Sequence, residues 1–295
     1  MVVRRRGVLF AVSGSLMFGL SPVFVQLTLD FVNVATMNVL FTVFASLCFV
    51  VAFGVFRKAA YFRSILGNWR RLGLMTLFSA VGSLLYTYGI SLYGPVNATF
   101  LVQFTAVFTI LFGVVFFKER FTRLEAAGVL VAVVGVFVLA YGNLSLEVVG
   151  TLVLLAAALF FASANSLSKA YVKDVNPVAL AGGNALFMLL FISAFAVLSG
   201  SLQTAFPSEA LVYGFLGAVT GVVLSFVLFF KALEVYAVSK TATIRTIEPF
   251  LTAIFSFAIL ALVPTSNQLV GGVLIVIGVA ALSLTKKNDF ATVSG

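Results

Sequence analysis

The chain has 295 residues, 62% hydrophobic and 9% charged, with 18 Lys and Arg against 9 Asp and Glu and no histidine. Its mean hydropathy of +1.19 excludes a water-soluble domain, in which about half the residues are apolar. The missing histidine removes imidazole ligands and His-based catalysis, and a single cysteine, Cys48, excludes an intrachain disulfide and a thiolate metal site.

A helical crossing of a bilayer needs about 20 mainly apolar residues. Runs bounded by charges or turn residues predict ten spans, near 7–28, 33–56, 70–92, 95–117, 123–142, 149–170, 177–198, 211–234, 238–262 and 267–285. Connections as tight as Tyr93-Gly94-Pro95 and Pro264-Thr265-Ser266 predict antiparallel hairpins. Strands are excluded because lipid-exposed sheet edges leave backbone groups unpaired. The basic start Arg4-Arg5-Arg6 resembles that of a signal peptide, but the apolar run continues to Leu29 without a small-x-small cleavage site, so it reads as the first span.

Lys and Arg fall in every second connection. Arg4, Arg5 and Arg6 precede span one; Arg57, Lys58, Arg63, Arg70 and Arg71 join two and three; Lys118, Arg120 and Arg123 join four and five. Lys169 and Lys173, Lys231 and Lys240, and Lys286 and Lys287 continue the alternation. By the positive-inside rule both termini lie in the cytoplasm of a multi-pass protein of the cell membrane. The net charge of +9 is therefore read as topology, with no nucleic-acid partner. Tyr61, Phe62 and Trp69 suit an interfacial aromatic belt.

The chain also repeats itself. Leu16–Ser21 resembles Leu159–Ala164 at a shift of 143 residues, and the same shift carries Asn33 onto Asn176, Phe44 onto Phe187, Tyr93 onto Tyr236, Thr109 onto Thr252, Thr122 onto Thr265, Gly128 onto Gly271 and Gly135 onto Gly278. The expected architecture is an all-α integral membrane protein of ten transmembrane helices in two five-helix repeats, residues 1–145 and 146–295. Because five is odd, the second copy starts on the opposite side, so the repeats are inverted, the arrangement of secondary transporters that bind substrate near the midplane. The paired glycines, seven apart on spans five and ten, are positions for close helix approach.

In Asn97–Phe108, Phe117–Thr122 and Glu125–Gly128, and in the second copy Lys240–Phe250 and Asn267–Gly272, the chain resembles the drug/metabolite transporter superfamily, in its EamA-type branch of five-plus-five proteins. It departs at Ala106, where span four usually carries a proline that Pro249 keeps in span nine, and at Ala261-Leu262-Val263, where a glycine-glutamate is usual. The resemblance implies alternating-access transport, often export, of amino acids or other small metabolites. It also implies a central cavity bounded by spans one, three, four, six, eight and nine. No nucleotide-binding P-loop is present, and no cofactor is expected.

An ionisable residue inside a bilayer marks a functional site by default. Span nine carries Arg245 and Glu248, and Thr241, Arg245, Glu248 and Thr252 follow a 4-3-4 spacing that places them on one helix face. Pro249 lacks the N–H that would bond the Arg245 carbonyl. The pair suits a zwitterion, guanidinium to carboxylate and carboxylate to ammonium; Glu248 alternatively carries a coupling proton, or the two residues merely neutralise each other. Their first-half counterparts are Val102 and Thr105. Further polar candidates are Thr99 and Gln103 on span four, Ser163 and Asn165 on span six and Ser225 on span eight, with Tyr86 shaping the cavity. Pro22 and Pro249 are candidate gating positions.

The expectation is a secondary transporter of small polar metabolites, an amino-acid exporter first, with the bilayer and a small-molecule substrate as partners. Convergence of Arg245, Lys240 and Lys231 would instead favour an organic-anion or nucleotide-sugar exchanger. A non-transporting membrane scaffold is the remaining alternative. An enzyme is not expected, since the connections are too short to hold a catalytic set.

Overall fold

The computed structural model describes residues 2–117, 122–139, 144–171, 175–235 and 244–285. Among these, all regular structure is helical: α1 (Val2–Leu29), α2 (Val34–Val55), α3 (Ala59–Gly67), α4 (Trp69–Val102), α5 (Phe104–Phe117), α6 (Arg123–Leu139), α7 (Leu144–Tyr171), α8 (Pro177–Leu198), α9 (Ser208–Ala218), a π-helical turn (Val219–Leu224), α10 (Ser225–Val235), α11 (Glu248–Leu260) and α12 (Ser266–Thr285). Among the described residues, six stretches are long and apolar enough to cross a membrane: Leu9–Leu29, Val34–Val55, Trp69–Val102, Val148–Ser168, Pro177–Leu198 and Ser208–Ala232. Glu248–Leu260 and Ser266–Ala281 are shorter apolar helices.

The Trp69–Val102 stretch is not straight. Gly94 takes φ 80° and ψ 164°, a left-handed backbone that glycine adopts without the strain a Cβ brings. The chain folds back there, because the Tyr86 and Thr99 hydroxyls lie 3.2 Å apart, whereas thirteen residues of continuous helix would separate them by about 20 Å along the axis. This is the hairpin expected at Tyr93-Gly94-Pro95.

Two of the expected crossings are broken where the sequence predicts continuous helices. Span four divides at Gln103 into the end of α4 and α5, and span nine turns at Thr246–Ile247 before α11 begins. Both breaks use shortened i to i−3 bonds: the Gln103 amide reaches the Phe100 carbonyl at 3.2 Å, and the Ile247 amide reaches that of Ile244 at 3.3 Å, the 3₁₀ geometry of a helix interruption. Gln103 and Thr246 are 143 residues apart, so the breaks fall at equivalent places in the two copies.

The repeat also governs how the helices start. Helices α2 and α8 each have 22 residues, shifted by 143 at both ends. Each is capped by its preceding asparagine: the Asn33 side chain accepts from the Thr36 amide and that of Asn176 from Val178, both at 2.9 Å, caps worth about 1 kcal/mol each. At α6, the Thr122 amide donates to Glu125 Oε2 at 2.7 Å and the Glu125 amide to Thr122 Oγ1 at 3.2 Å. Thr265 and Gln268 repeat this reciprocal capping box before α12, at 2.8 and 3.3 Å.

Helix pairs α4 with α7, α6 with α12, and α2 with α8 make the main contacts, while α1 packs on α9, α10 and α11. Helices α6 and α12 meet backbone to backbone. A Cβ on Gly271 would lie 2.6 Å from the Leu139 amide nitrogen and 2.7 Å from the Gly135 carbonyl oxygen, and one on Gly278 would collide with the Gly128 carbonyl. Gly135 thus faces Gly271 and Gly128 faces Gly278, so these two helices, equivalent under the repeat, run antiparallel.

Candidate functional site

Where the two halves meet, α1, α10 and the segment entering α11 enclose a pocket. It is lined by Ala11, Gly14, Ser15 and Phe18, by Ser225, Phe226 and Phe229, and by Arg245 and Glu248. The free space is about 10 Å³, roughly the room of one water molecule. The site is closed around its own side chains.

At its centre the Arg245 guanidinium forks onto the Glu248 carboxylate, with Nε to Oε1 at 2.6 Å and a terminal nitrogen to Oε2 at 3.2 Å. Ser15 Oγ donates to the same Oε1 at 3.3 Å. Glu248 is 3% exposed and opens α11, where the helix dipole favours an anion. Arg245 lies between two aromatic rings, with its guanidinium carbon 5.1 Å from the centre of Phe18 and 4.6 Å from that of Phe229, a cation–π arrangement. Every charge in the pocket is therefore neutralised within it. Glu248 is buried in this pair while the Arg245 side chain stays 23% exposed, so the guanidinium keeps part of its contact with the surroundings and the carboxylate receives three bonds.

Pro249 stands in the first turn of α11, where a missing N–H costs nothing, so it begins a helix instead of kinking one. The Arg245 carbonyl accepts from Gln103 Nε2 at 3.4 Å. One helix break is thus tied to the other across the repeat, by a side chain from the first copy and a carbonyl from the second. Gln103→Ala removes this tie; the expected result is a several-fold fall in initial transport rate with a stability change of about 1 kcal/mol, read by proteoliposome uptake and by thermal unfolding.

The sequence pattern of one family matches the chain twice, over residues 5–141 and 148–284, the second match starting and ending 143 residues after the first. The chain belongs to the EamA-like transporter family. Membership points to transport rather than catalysis, and to a multi-pass membrane protein. An uncharacterized transporter of Methanothermobacter thermautotrophicus is 26% identical over 215 residues, 70% of this chain and 62% of the relative, so the match spans less than two thirds of that protein. A protein of known crystal structure shares the fold, with a TM-score of 0.68 over 95% of this chain and 98% of its own, at 18% identity.

Within this EamA-like fold the residues singled out from the sequence do not all come together. Arg245, Glu248 and Ser225 line the pocket, and Gln103 touches it through the Arg245 backbone. Thr252 is buried one turn along α11 and donates to the Gly19 carbonyl at 2.9 Å, joining α11 to α1 beside the pocket. Tyr86 and Thr99 form a buried pair of their own: the Thr99 hydroxyl donates to the Pro95 carbonyl at 2.7 Å, leaving Tyr86 as the donor to Thr99. Ser163 turns its hydroxyl onto its own helix, to the Leu159 carbonyl, while that of Thr105 donates back across the Gln103 break to the Val102 carbonyl at the end of α4, and Asn165 is half-buried on α7. Thr241 and Lys240 lie outside the described residues, and Lys231 stands over the ring of Phe10 at 5.7 Å, not among the pocket-lining groups. Pro22 is buried inside α1, which continues through it as helix.

Ser15, Phe18, Phe226 and Phe229 escaped the sequence reading. A signal existed for one of them: Phe229 is Tyr86 shifted by 143, so the repeat that flagged Tyr86 flags its counterpart. The others are unremarkable members of apolar runs, brought to the site only by the packing of α1 on α10. The π turn before Ser225 adds to this, since the Ser225 hydroxyl donates back to the Gly221 carbonyl within it.

Proposed function

We propose that this transporter carries small zwitterionic metabolites, amino acids first, by alternating access about the Arg245–Glu248 pair. The observation that carries the reading is the forked ion pair in a narrow pocket beside the point where broken helices from both repeats are tied together. Discontinuous helices at corresponding positions of two halves mark the substrate site in secondary transporters. A zwitterion is the ligand class that keeps the balance of charge: its carboxylate takes Arg245 and its ammonium takes Glu248, so neither buried group is left alone. An anion or a cation would satisfy one and strand the other. Admission of any solute larger than a water requires α1 and α10 to separate.

Inversion of the two five-helix repeats is supported by the antiparallel crossing of α6 and α12. The distribution of Lys and Arg supports both termini in the cytoplasm of a cell-membrane protein; the family resemblance favours export as the direction, and Glu248, the one carboxylate among the described residues that line the pocket, is the group that would carry a coupling proton. Purified protein in liposomes, offered labelled amino acids, organic anions and organic cations with and without a pH gradient, tests the substrate class. Uptake of a zwitterion competed by other zwitterions and not by mono-anions is the expected result; uptake of mono-anions alone would overturn it. Cysteines placed at either end in a Cys48→Ser background should react with impermeant reagent from the same side.

A further inference from the structure

We propose that a cleft at the junction of α3 and α4 binds the phosphate headgroup of an anionic phospholipid. The cleft has about 290 Å³ of free space and is lined by Gly67, Asn68, Trp69, Arg70 and Arg71. It lies in the most basic stretch of the chain: Arg57, Lys58, Arg63, Arg70 and Arg71 fall within fifteen residues, and no acidic residue occurs between Asp30 and Glu119. A basic surface at the bilayer edge attracts anionic headgroups, and guanidinium groups match phosphate oxygens in a fork geometry.

The walls are fixed in place. Helix α3 is held on the core by Tyr61 and Phe62, whose rings meet that of Phe53 edge-on at 5.3 and 5.2 Å, and by buried Ile65. Asn68 closes α3, its side-chain amide donating to the Ser64 carbonyl at 3.0 Å. The Arg70 guanidinium lies over the Trp69 ring, 5.3 Å from its centre, and that of Arg71 stands 5.9 Å from the centre of Tyr171.

The apolar border of the cleft commits the occupant to a bilayer lipid. Leu66 and Trp69, 69% and 54% exposed, border the cleft with apolar surface that belongs among acyl chains and at the interface. The equivalent stretch of the second copy, residues 200–214, has no Lys or Arg, as the positive-inside rule requires of a stretch that inversion carries to the other face. There the loop serves structure, with Gln203 bonding Asn33 and Thr36 at the start of α2.

A purely topological role of these charges is indifferent to which one is removed; a headgroup site is not. The full-length protein in detergent would be melted with phosphatidylglycerol, phosphatidylcholine or soluble glycerol phosphate, and lipid retention counted by native mass spectrometry. Phosphatidylglycerol is expected to raise the midpoint by about 5 °C at a hundredfold excess over its dissociation constant, while the other two leave it unchanged. Arg70→Gln should lose most of the rise and the retained lipid, and Arg63→Gln, an equal change of charge outside the cleft, should keep both. Asn68→Ala, which loosens the junction without changing charge, should weaken retention and covers the case in which Arg70→Gln folds poorly. Equal stabilisation by phosphatidylcholine or glycerol phosphate, or equal losses in Arg63→Gln and Arg70→Gln, would overturn the proposal.

Discussion

Arg245→Ala is expected to reduce transport by at least about a hundredfold and to destabilise the protein by about 3 kcal/mol, the order of cost of leaving one member of a buried ion pair without its partner. In the native site Glu248 receives two bonds from Arg245 and one from Ser15; the variant retains only the last. Glu248→Gln should lose transport in the same way, because a zwitterion then finds no carboxylate for its ammonium group. The double variant Arg245→Ala, Glu248→Gln separates stability from function. It removes both charges, so its stability should return to within about 1 kcal/mol of the native protein, while transport stays absent. The sign with pH follows directly: the single variant Arg245→Ala loses its deficit as pH falls, since a protonated Glu248 needs no counter-charge. Unfolding midpoints across pH and uptake by proteoliposomes read both quantities, and native-level uptake by Arg245→Ala would sink the assignment of the pair.

The second large effect is expected at the crossing of α6 and α12. Gly271→Leu should cost about 3 kcal/mol, at the upper end of what overpacking does, because the atoms that its Cβ would strike are the Leu139 nitrogen and the Gly135 oxygen. Backbone atoms cannot rotate out of the way, so the helices must part and lose the dispersion contacts that hold bilayer helices together. Gly73→Ala is the matched control. A Cβ there meets nothing within 4 Å, and the change should stay within about 1 kcal/mol, in the stabilising direction. Equal midpoints for the two variants would mean that close approach at Gly271 contributes nothing.

Much of the architecture was legible because it depends on quantities the sequence states directly. Apolar run length places the helices, and Gly94 marks the fold-back that the Tyr86–Thr99 contact requires. The constant shift of 143 foretold that α2 and α8 would match residue for residue. The charged pair was legible for the same reason: two opposite charges three residues apart in an apolar run have few partners but each other. The breaks at Gln103 and Thr246 were not, since hydropathy averages over a span and is blind to one turn of altered hydrogen bonding. The 4-3-4 spacing put Thr252 on the face of Glu248, and within α11 both residues turn toward α1, Glu248 to Ser15 and Thr252 to the Gly19 carbonyl. The aromatic rings around Arg245 were hidden by number, with 33 phenylalanines in the chain and nothing local to distinguish Phe18 or Phe226 from those facing lipid. The capping boxes at Thr122-x-x-Glu125 and Thr265-x-x-Gln268, by contrast, were open to reading from spacing alone.

The mutual cancellation of Arg245 and Glu248 bears on energetics across the bilayer. A lone charge carried through the membrane field gains or loses about 2.3 kcal/mol per 100 mV, so a site with one unpaired ion would be driven or held by voltage in every cycle. Here the empty pocket is a neutral body, and a zwitterion that replaces each partner leaves it neutral. If the proposed zwitterion travels without a proton, voltage finds no net charge to act on and the concentrations on the two sides set the flow; a proton carried on Glu248 would add one positive charge per cycle and make the flow voltage-dependent.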